Sequence, residues 1–217
     1  MPRFFIDFPC NTGDRIILDG ENGRHISRSL RMHPGDSITL CDGKETDYFC
    51  KITEILGDTV EVLVQQSSHS ISEPTIKVTL IQSLPKADKM DAVIQKAVEL
   101  GVTRVIPILS TRCVSRPDSS AQKKKVQRWQ KIAAEAAKQC GRGIIPTVEP
   151  IQNFFDAVDQ AAKTGTILFF YEGGGAPLPK IMEWEQKQPI SIFIGPEGGF
   201  SAEEVSGTLE EVDTGII

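Results

Sequence analysis

The first 70 residues alternate between apolar and polar positions over short stretches, which is the pattern of half-buried strands. Asp-Gly or Gly-Asp turns separate the alternating or β-branched runs, which lie at 15–18, 37–41, 48–56 and 59–65. Strands at this spacing predict a small β-barrel. One stretch, 23–32, has a helical spacing instead, and it places Arg24, Arg28 and Arg31 on one face.

A different pattern follows the polar, serine-rich stretch 66–75, which is the best candidate for a linker. Apolar runs that read as strands, at 76–81, 104–109, 166–171 and 190–194, now alternate with amphipathic stretches at 88–100, 121–140, 153–163, 178–186 and 202–211. Such alternation predicts a parallel sheet with helices on both faces. The sequence therefore predicts two domains, a β-barrel at 1–70 and an α/β domain at 74–217.

The most informative stretch of the chain is 190–204, ISIFIGPEGGFSAEE. A buried strand ends at Gly195, a loop rich in glycine follows, and Ser201 with Glu204 forms a capping box that begins a helix. In an open α/β sheet, ligands bind at the carboxyl ends of strands, and glycines allow the backbone to approach them closely.

A second strand ends in the same way, since the run 167–171 is followed by Glu172 and three glycines. Two buried strands that both end in glycine turns predict one shared pocket, although two ordinary turns are the alternative. Neither loop carries the G-x-G-x-x-G or Gly-Lys-Ser/Thr fingerprint of a known nucleotide motif.

The formal net charge of −5 conceals a basic central stretch. Residues 110–146 hold nine lysines and arginines against only Asp118 and Glu135. A local excess of this size is expected of a surface that neutralises phosphates. A solvated helix face explains Lys123, Lys124 and Lys125 equally well, but it explains less well why arginines continue on both flanks.

Other classes of protein are disfavoured by the composition. The five cysteines contain no C-x-x-C pair and the three histidines lie far apart, so we expect neither a disulfide framework nor a metal site. The N-terminus does not read as a signal peptide, and no stretch has the length of about 20 apolar residues that a membrane span requires. We therefore expect a cytoplasmic protein without a membrane partner.

Four separate strings resemble one family: HISRSLRMHPGD at 25–36, KMDAVIQKAVELGVTRVIPILSTRCV at 89–114, RWQKIAAEAAKQCGR at 128–142 and IGPEGGFSAEE at 194–204. They are similar, in the expected order, to the bacterial ribosomal RNA small subunit methyltransferase E family. These SPOUT-superfamily enzymes methylate N3 of a uridine in 16S ribosomal RNA.

This resemblance implies an α/β fold in which a small PUA-like barrel that grips RNA precedes a SPOUT domain with a C-terminal trefoil knot. It also implies S-adenosylmethionine as cofactor, a homodimer, and the assembled 30S subunit or its RNA as partner. The residues that it assigns to the cofactor pocket are Leu168, Glu172, Ile194, Gly195, Glu197, Gly198 and Gly199.

The resemblance further places Arg112, Glu135, Gln139 and Arg142 towards the RNA, and Arg116 belongs to the same basic stretch as Arg112. Together with Arg24, Arg28 and Arg31, these arginines and Gln139 are the predicted RNA-binding residues. The predicted catalytic residues are Arg112, Glu135 and Arg142. Either arginine is suited to stabilise the uridine oxygens, and either Glu135 or Glu197 to accept the N3 proton.

Family members continue beyond the position of Ile217 into another loop and a last helix. The resemblance therefore predicts that this sequence represents a protein shortened at its C-terminus. For a 217-residue product we expect weak cofactor binding and impaired dimerisation.

Two further functions compete with methyl transfer. A non-catalytic RNA-binding module would use the barrel and the basic stretch, but it would not need glycine loops at two strand ends. A nucleotide-binding oxidoreductase predicts a G-x-G-x-x-G after the first strand of the α/β domain, where the chain has SLPKADKMD.

Overall fold

Two units, each built on its own sheet, make up the chain in a computed structural model that describes residues 1–175, 188–211 and 215–216. Unit 1 contains Met1–Glu73 and Ala137–Ile145, and unit 2 contains Pro74–Ala136 and Pro146–Ile217. The sequence did not suggest that 137–145 groups with the N-terminal residues. The domain limits 1–70 and 74–217 stay a prediction.

Unit 1 is built on a five-stranded sheet with the order β1-β3-β4-β5-β2. Its elements are β1 (Arg3–Phe5), β2 (Arg15–Leu18), α1 (Gly20–Arg24), a π-helical turn (His25–Ser29), β3 (Ser37–Cys41), β4 (Thr46–Leu56) and β5 (Thr59–His69). Strand β1 pairs with β3 in parallel, and the other pairings are antiparallel.

The core of unit 1 lies inside a curled sheet. Phe4 of β1 and Leu18 of β2 belong to the same buried cluster, although these strands are at opposite ends of the sheet order. Ile38, Val62 and other β-branched residues of the central strands complete the cluster. Because both edge strands meet one core, the sheet must curve around it, in agreement with the predicted small barrel.

The helical insert differs from its prediction. Instead of one helix over 23–32, α1 ends at Arg24, a π-helical turn follows, and Arg31 lies beyond it with a backbone φ of 50°. Gly23 explains part of this arrangement. A Cβ at Gly23 would come within 2.0 Å of the Asp58 carbonyl oxygen, so the insert packs against the chain more closely than any side chain permits.

Unit 2 is built on a parallel sheet with the order β12-β10-β11-β6-β7-β8, and β9 also pairs with β7. Its elements are β6 (Val78–Ser83), α2 (Lys89–Glu99), β7 (Arg104–Leu109), α3 (Ser119–Cys140, whose last four residues belong to unit 1), β8 (Thr147–Val148), β9 (Gln152–Asn153), α4 (Phe154–Ala162), β10 (Thr166–Phe170), β11 (Ile190–Ile194), α5 (Ala202–Glu211) and β12 (Gly215–Ile216). The predicted parallel sheet is confirmed.

One face of this sheet is covered by α4 and α5. Phe154 of α4 and Val205 of α5 share a buried cluster with Ile81, Ile106 and Phe193 of the strands. Elsewhere in the unit, Trp129 of α3 is 3% exposed and so belongs to the buried core.

Two predictions concern residues that the structure does not describe. The predicted helix 178–186 falls entirely on residues whose structure is not described. The trefoil knot stays a prediction, because the path of the chain through 176–187 and 212–214 is not described either. Among the described helices, none combines the length and the apolar composition that crossing a bilayer requires.

Candidate functional site

The carboxyl ends of four neighbouring strands bring four loops to one edge of the parallel sheet. Strands β10, β11, β6 and β7 lie side by side in this order, and the residues that follow them are 171–175, 195–201, 84–88 and 110–118. From β6 the chain continues to β7 on one side, and from β11 it continues towards β12 on the other. The sheet therefore has a topological switch point between β11 and β6, which is where open α/β sheets bind ligands.

Gln82 occupies this switch point, at the end of β6. Its side-chain Nε2 donates to the carbonyl of Ser83 at 2.9 Å and lies 3.4 Å from the carbonyl oxygens of both Ile194 and Gly195. The residue is only 5% exposed. The start of the glycine loop is thus held against β6 by a buried amide.

The other end of the glycine loop is anchored in the core. Phe200 is 1% exposed and stacks on Phe169, with their ring centroids 4.4 Å apart. Next to it, Ser201 and Glu204 form the predicted capping box: the N–H of Glu204 donates to Ser201 Oγ at 3.2 Å, and the N–H of Ser201 donates to Glu204 Oε2 at 2.9 Å. The loop between Ile194 and Phe200 is therefore fixed at both ends.

The glycines of this loop leave little room for side chains. Gly199 has a φ of 66°, and its N–H donates to the carbonyl of Pro196 at 2.9 Å in a tight turn. A Cβ at Gly199 would lie 2.8 Å from Glu172 Oε1, and one at Gly195 would lie 3.3 Å from Gly199. Glu172 and the glycine loop, two parts of the predicted cofactor pocket, are therefore adjacent.

The other predicted cofactor residues lie on the same two strands. Leu168 of β10 is opposite Ile192 in the pairing with β11, and Phe170 is opposite Ile194. Leu168 is buried, in a cluster with Ile190, whereas Ile194 is half-buried. The assignment of these residues to a cofactor stays a prediction.

Glu197, at the tip of the glycine loop, is bound to the loop after β6. Its Oε1 accepts a hydrogen bond from Lys89 Nζ at 2.8 Å, and the N–H of Lys86 lies 3.2 Å from the same oxygen. The hydrogen bond from Lys89, with smaller contributions from backbone N–H groups, lowers the pKa of Glu197 from 4.5 to about 2. Glu197 is therefore a fixed anion rather than a proton acceptor near neutral pH.

Arg112 reaches the glycine loop from the loop after β7. Its Nη1 donates to the carbonyl oxygen of Gly198 at 2.7 Å, and the side chain remains exposed. Arg116 turns back instead, since its Nη2 donates to the carbonyls of Ser110 and Thr111 at 3.1 and 3.0 Å. Of the two arginines, Arg112 is the one that the structure places at the switch point.

Arg142 lies in a buried ion pair of unit 1. It is 3% exposed, and its Nη2 donates to Glu73 Oε2 at 2.5 Å. Glu73 Oε1 also accepts the N–H groups of Gly143 and Ile144, at 2.7 and 3.2 Å. A direct contact of Arg142 with RNA would have to break this pair, whereas Glu135 and Gln139 lie exposed on α3.

The predicted RNA-binding arginines of the helical insert converge on one carboxylate. Arg28 Nε donates to Asp58 Oδ1 at 2.6 Å, and Arg24 Nε lies 3.4 Å from Asp58 Oδ2. These contacts, of which the hydrogen bond from Arg28 is the largest, lower the pKa of Asp58. Arg31 is exposed beyond the π-helical turn, so it does not continue the face that the helical spacing predicted.

Comparison with known proteins identifies the fold that carries this site. Residues 72–214 match the model of an RNA methyltransferase domain, and residues 18–65 match that of an RNA methyltransferase PUA domain. The chain belongs to the RNA methyltransferase family. Its N-terminal unit accordingly contains a PUA-like domain.

Relatives and solved structures of this family agree with the assignment. The chain is 33% identical to the ribosomal RNA small subunit methyltransferase E of Bacillus subtilis, over 97% of the chain and 86% of the relative. It is 32% identical to the enzyme of that name from Neisseria gonorrhoeae, solved bound to S-adenosyl methionine, with a TM-score of 0.86 over 99% of this chain and 89% of that one. A putative methyltransferase from Legionella pneumophila, in complex with bound cofactor SAM, is 28% identical with a TM-score of 0.83 over 96% and 85%.

In this member of the RNA methyltransferase family, four residues around the glycine loop were not predicted from the sequence: Gln82, Lys86, Lys89 and Thr111. Gln82, Lys86 and Lys89 contact β11 or its loop from the end of β6, and Thr111 contacts α5 from the end of β7. The sequence feature that could have identified them is that each lies at, or shortly after, the carboxyl end of β6 or β7. That signal depends on knowing that β6 is the neighbour of β11 and that β7 is the next strand beyond it, which the sequence does not state.

Proposed function

We propose that this chain transfers a methyl group from S-adenosylmethionine to N3 of a uridine in the 16S RNA of the small ribosomal subunit. The observation that carries the proposal is the glycine loop 195–199 at the switch point of the sheet, contacted by residues of three other strand ends. Membership of the RNA methyltransferase family and the cofactor-bound relatives support this cofactor and this class of reaction.

The residues present fit such a cofactor. The backbone at Gly195 and Gly199 approaches its protein neighbours so closely that a Cβ would crowd Gly199 at 3.3 Å and Glu172 at 2.8 Å, so this compact loop requires glycine. The hydroxyl of Ser83, at the end of β6, is buried and has no hydrogen-bond partner in the described part of the chain. Glu172 offers carboxylate oxygens beside Gly199, as the hydroxyl groups of a nucleoside require.

S-adenosylmethionine, when bound, would supply an electrophilic methyl group on its sulfonium. We propose that Gly195, Gly198 and Gly199 hold it through the backbone, with Leu168, Ile194 and Glu172 beside them. Glu197 takes a different part, because Lys89 and the N–H of Lys86 already occupy its carboxylate. It fixes the loop after β6 against the glycine loop, so that both keep their positions during transfer.

Arg112 is the best-placed residue for the uridine. One of its N–H groups binds the Gly198 carbonyl, and the exposed guanidinium retains further donors. Negative charge on the uracil oxygens increases as N3 loses its proton, and a fixed cation nearby stabilises that charge. Glu135 remains our proposed proton acceptor, since the lowered pKa of Glu197 makes that carboxylate too weak a base.

For the RNA, we propose contacts from both units. Arg24, Arg28 and Arg31 would bind the backbone from the PUA-like domain, and Arg112, Arg116 and Gln139 from the rest of the chain. Arg142 would take part only after separation from Glu73. We further propose a trefoil-knotted C-terminal segment, a homodimer, a cytoplasmic location and the assembled 30S subunit as substrate, as the resemblance to the ribosomal RNA small subunit methyltransferase E family implies.

The test is incubation of the protein with small ribosomal subunits that lack the modification and with labelled S-adenosylmethionine, followed by nucleoside analysis. We expect label in 3-methyluridine. Arg112→Met should lower the rate of transfer by about 100-fold, the size of effect that a single charge-stabilising group has in other enzymes. Arg15→Met, at an exposed arginine that has no part in the proposed site, is the control and should retain most of the rate.

Label in another nucleoside would contradict the proposed product, and no label at all would contradict catalysis. The alternative, an RNA-binding module without catalysis, is not favoured, since the relatives are methyltransferases that match almost the whole chain. It would return only if RNA bound tightly and no methyl group were transferred.

A further inference from the structure

The exposed face of α3 carries cations without acids. Between Ser119 and Ala134 the helix contains no aspartate or glutamate, but it contains five basic residues: Lys123, Lys124, Lys125, Arg128 and Lys131. Surface helices of soluble proteins usually mix both signs, since oppositely charged pairs three or four residues apart stabilise a helix. This part of α3, 16 of its 22 residues, therefore differs from an ordinary solvated face.

The structure separates these five cations into two groups. Arg128 is paired with Asp91 of α2, and Lys125 Nζ lies 5.9 Å from the centroid of the Trp129 ring. The three others, Lys123, Lys124 and Lys131, are exposed. Within the described residues, none of these three forms an ion pair or a side-chain hydrogen bond.

This arrangement works against the stability of the helix itself. Lys123, Lys124 and Lys125 follow one another in the second turn of α3, so their like charges lie close together. Lys124 and Arg128 are four residues apart, a spacing at which like charges repel. A polyanion bound along the face would relieve both effects, and sequence features that oppose local stability are concentrated at functional sites.

The three lysines are also close enough to act together. Lys124 and Lys131 are seven residues apart on one side of the helix, about 10 Å along its axis. This separation is close to the Debye length at 0.1 M salt, so a single bound chain of phosphates experiences them as one field. The helix begins directly after the loop that carries Arg112, which links the face to the proposed site in sequence.

We propose that Lys123, Lys124 and Lys131 form a phosphate-binding surface for the RNA of the small ribosomal subunit. This inference rests on the proposed function and adds a surface that the predicted arginines do not include. Unlike Arg24, Arg28 and Arg142, which already bind carboxylates, these lysines can meet a phosphate without losing an ion pair.

The experiment compares two triple variants of the full chain. The first is Lys123→Gln, Lys124→Gln and Lys131→Gln, and the control is Lys51→Gln, Lys77→Gln and Lys163→Gln, which removes the same charge from exposed lysines elsewhere. Glutamine has nearly the helix propensity of lysine, so α3 should be retained. Binding to 30S subunits and to protein-free 16S RNA is measured from 50 to 200 mM salt, together with methyl transfer by the wild type.

Each phosphate contact contributes about 0.7–0.9 to the slope of log affinity against log salt. For the first variant, the magnitude of this slope should therefore be smaller than for the wild type by about 2–3 on both substrates. Its affinity at 0.1 M salt should be at least about tenfold weaker. The control should keep the wild-type slope, and both variants should keep the wild-type affinity for S-adenosylmethionine.

If the two variants have equal slopes and the wild type transfers methyl groups, this inference is overturned but the proposed function is not. A loss of slope on 30S subunits but not on protein-free RNA would also overturn it, since a ribosomal protein would then be the partner. A wild type that binds RNA with the expected slopes but transfers no methyl group would contradict the proposed function and leave the surface in place.

Discussion

Glu204 and Thr111 are joined by two hydrogen bonds across the sheet edge, although 93 residues separate them in the sequence. Glu204 Oε1 accepts the backbone N–H of Thr111 at 2.7 Å and its hydroxyl at 3.0 Å, while Oε2 accepts the N–H of Ser201. The carboxylate is buried, with 3% of the residue exposed. One side chain thus connects the loop of Arg112 with the end of the glycine loop.

Glu204→Gln should lower both the stability and the affinity for S-adenosylmethionine. The Glu204 carboxylate accepts hydrogen bonds from two N–H groups and one hydroxyl. In the glutamine variant, the side-chain NH2 group would face one of these donors instead of accepting from it. A buried donor left without an acceptor costs about 1–3 kcal/mol. Urea unfolding and calorimetric titration with the cofactor measure the two effects.

The matched control for that variant is Glu203→Gln on the same turn of α5, where the side chain is exposed. It should change the free energy of unfolding by less than about 0.5 kcal/mol. Equal effects of the two substitutions would show that the contact with Thr111 contributes nothing.

The pKa of Glu197 provides a test that depends on pH. Because the folded-state pKa is depressed from 4.5 to about 2, the contact with Lys89 contributes its full stability above pH 4.5 and loses it as the pH falls towards 2. An NMR titration of the Glu197 carboxyl carbon should show a midpoint near 2. In Lys89→Met the midpoint should rise towards 4.5, because the largest cause of the shift is removed.

A midpoint for Glu197 that does not move in Lys89→Met would contradict the hydrogen bond as the cause. Cofactor affinity in the wild type should be insensitive to the ionisation of Glu197 between pH 5 and 8, since this carboxyl stays ionised throughout that range.

Gly199→Ala and Gly198→Ala should differ strongly. Alanine at Gly199 must adopt a φ of 66° and place its Cβ 2.8 Å from Glu172, whereas at Gly198 the Cβ would meet Arg112 at an ordinary 3.5 Å. A left-handed backbone costs an L-residue about 1–2 kcal/mol. We expect Gly199→Ala to weaken cofactor binding by about tenfold or more and Gly198→Ala to weaken it less, by calorimetry.

The double variant Gly199→Ala with Glu172→Ala separates the two causes, since it removes the close contact and keeps the strained φ. Partial recovery of stability would show that both contribute. Equal cofactor affinities for Gly198→Ala and Gly199→Ala would contradict the close packing of this loop.

The Glu73–Arg142 pair should be among the most sensitive sites of unit 1. Removal of one partner from a buried ion pair costs about 3–5 kcal/mol, since the other charge stays buried alone. Glu73→Ala also leaves the N–H groups of Gly143 and Ile144 without their acceptor. Urea unfolding should show a loss of this size for Glu73→Ala.

The exposed pair of Arg15 and Glu61 is the comparison, because Glu61→Ala there should cost no more than about 1 kcal/mol. Similar losses for the two variants would indicate that burial of Glu73 does not matter.

Much of the secondary structure was predictable, because local patterns produce it. The strands 15–18, 37–41, 104–109 and 190–194 and the helix 202–211 have the observed limits. The short strands β1, β8 and β9 escaped prediction, since two or three residues carry no recognisable period. The break of the helical insert into α1 and a π-helical turn escaped as well, because it depends on the close approach of Gly23 to Asp58.

The sequence by itself determined the parallel sheet, the glycine loop between strand and helix, the capping box and, through four strings, the family. The glycine loop and the capping box are local, since each depends on the spacing of residues within about one element, and the parallel sheet and the family follow from the order of such stretches along the chain. Only the tertiary structure decided which strand ends are neighbours. It placed Glu197 with Lys89, Arg112 with Gly198 and Arg142 with Glu73, because contacts between residues about 70 to 110 positions apart follow from strand order and packing rather than from sequence period.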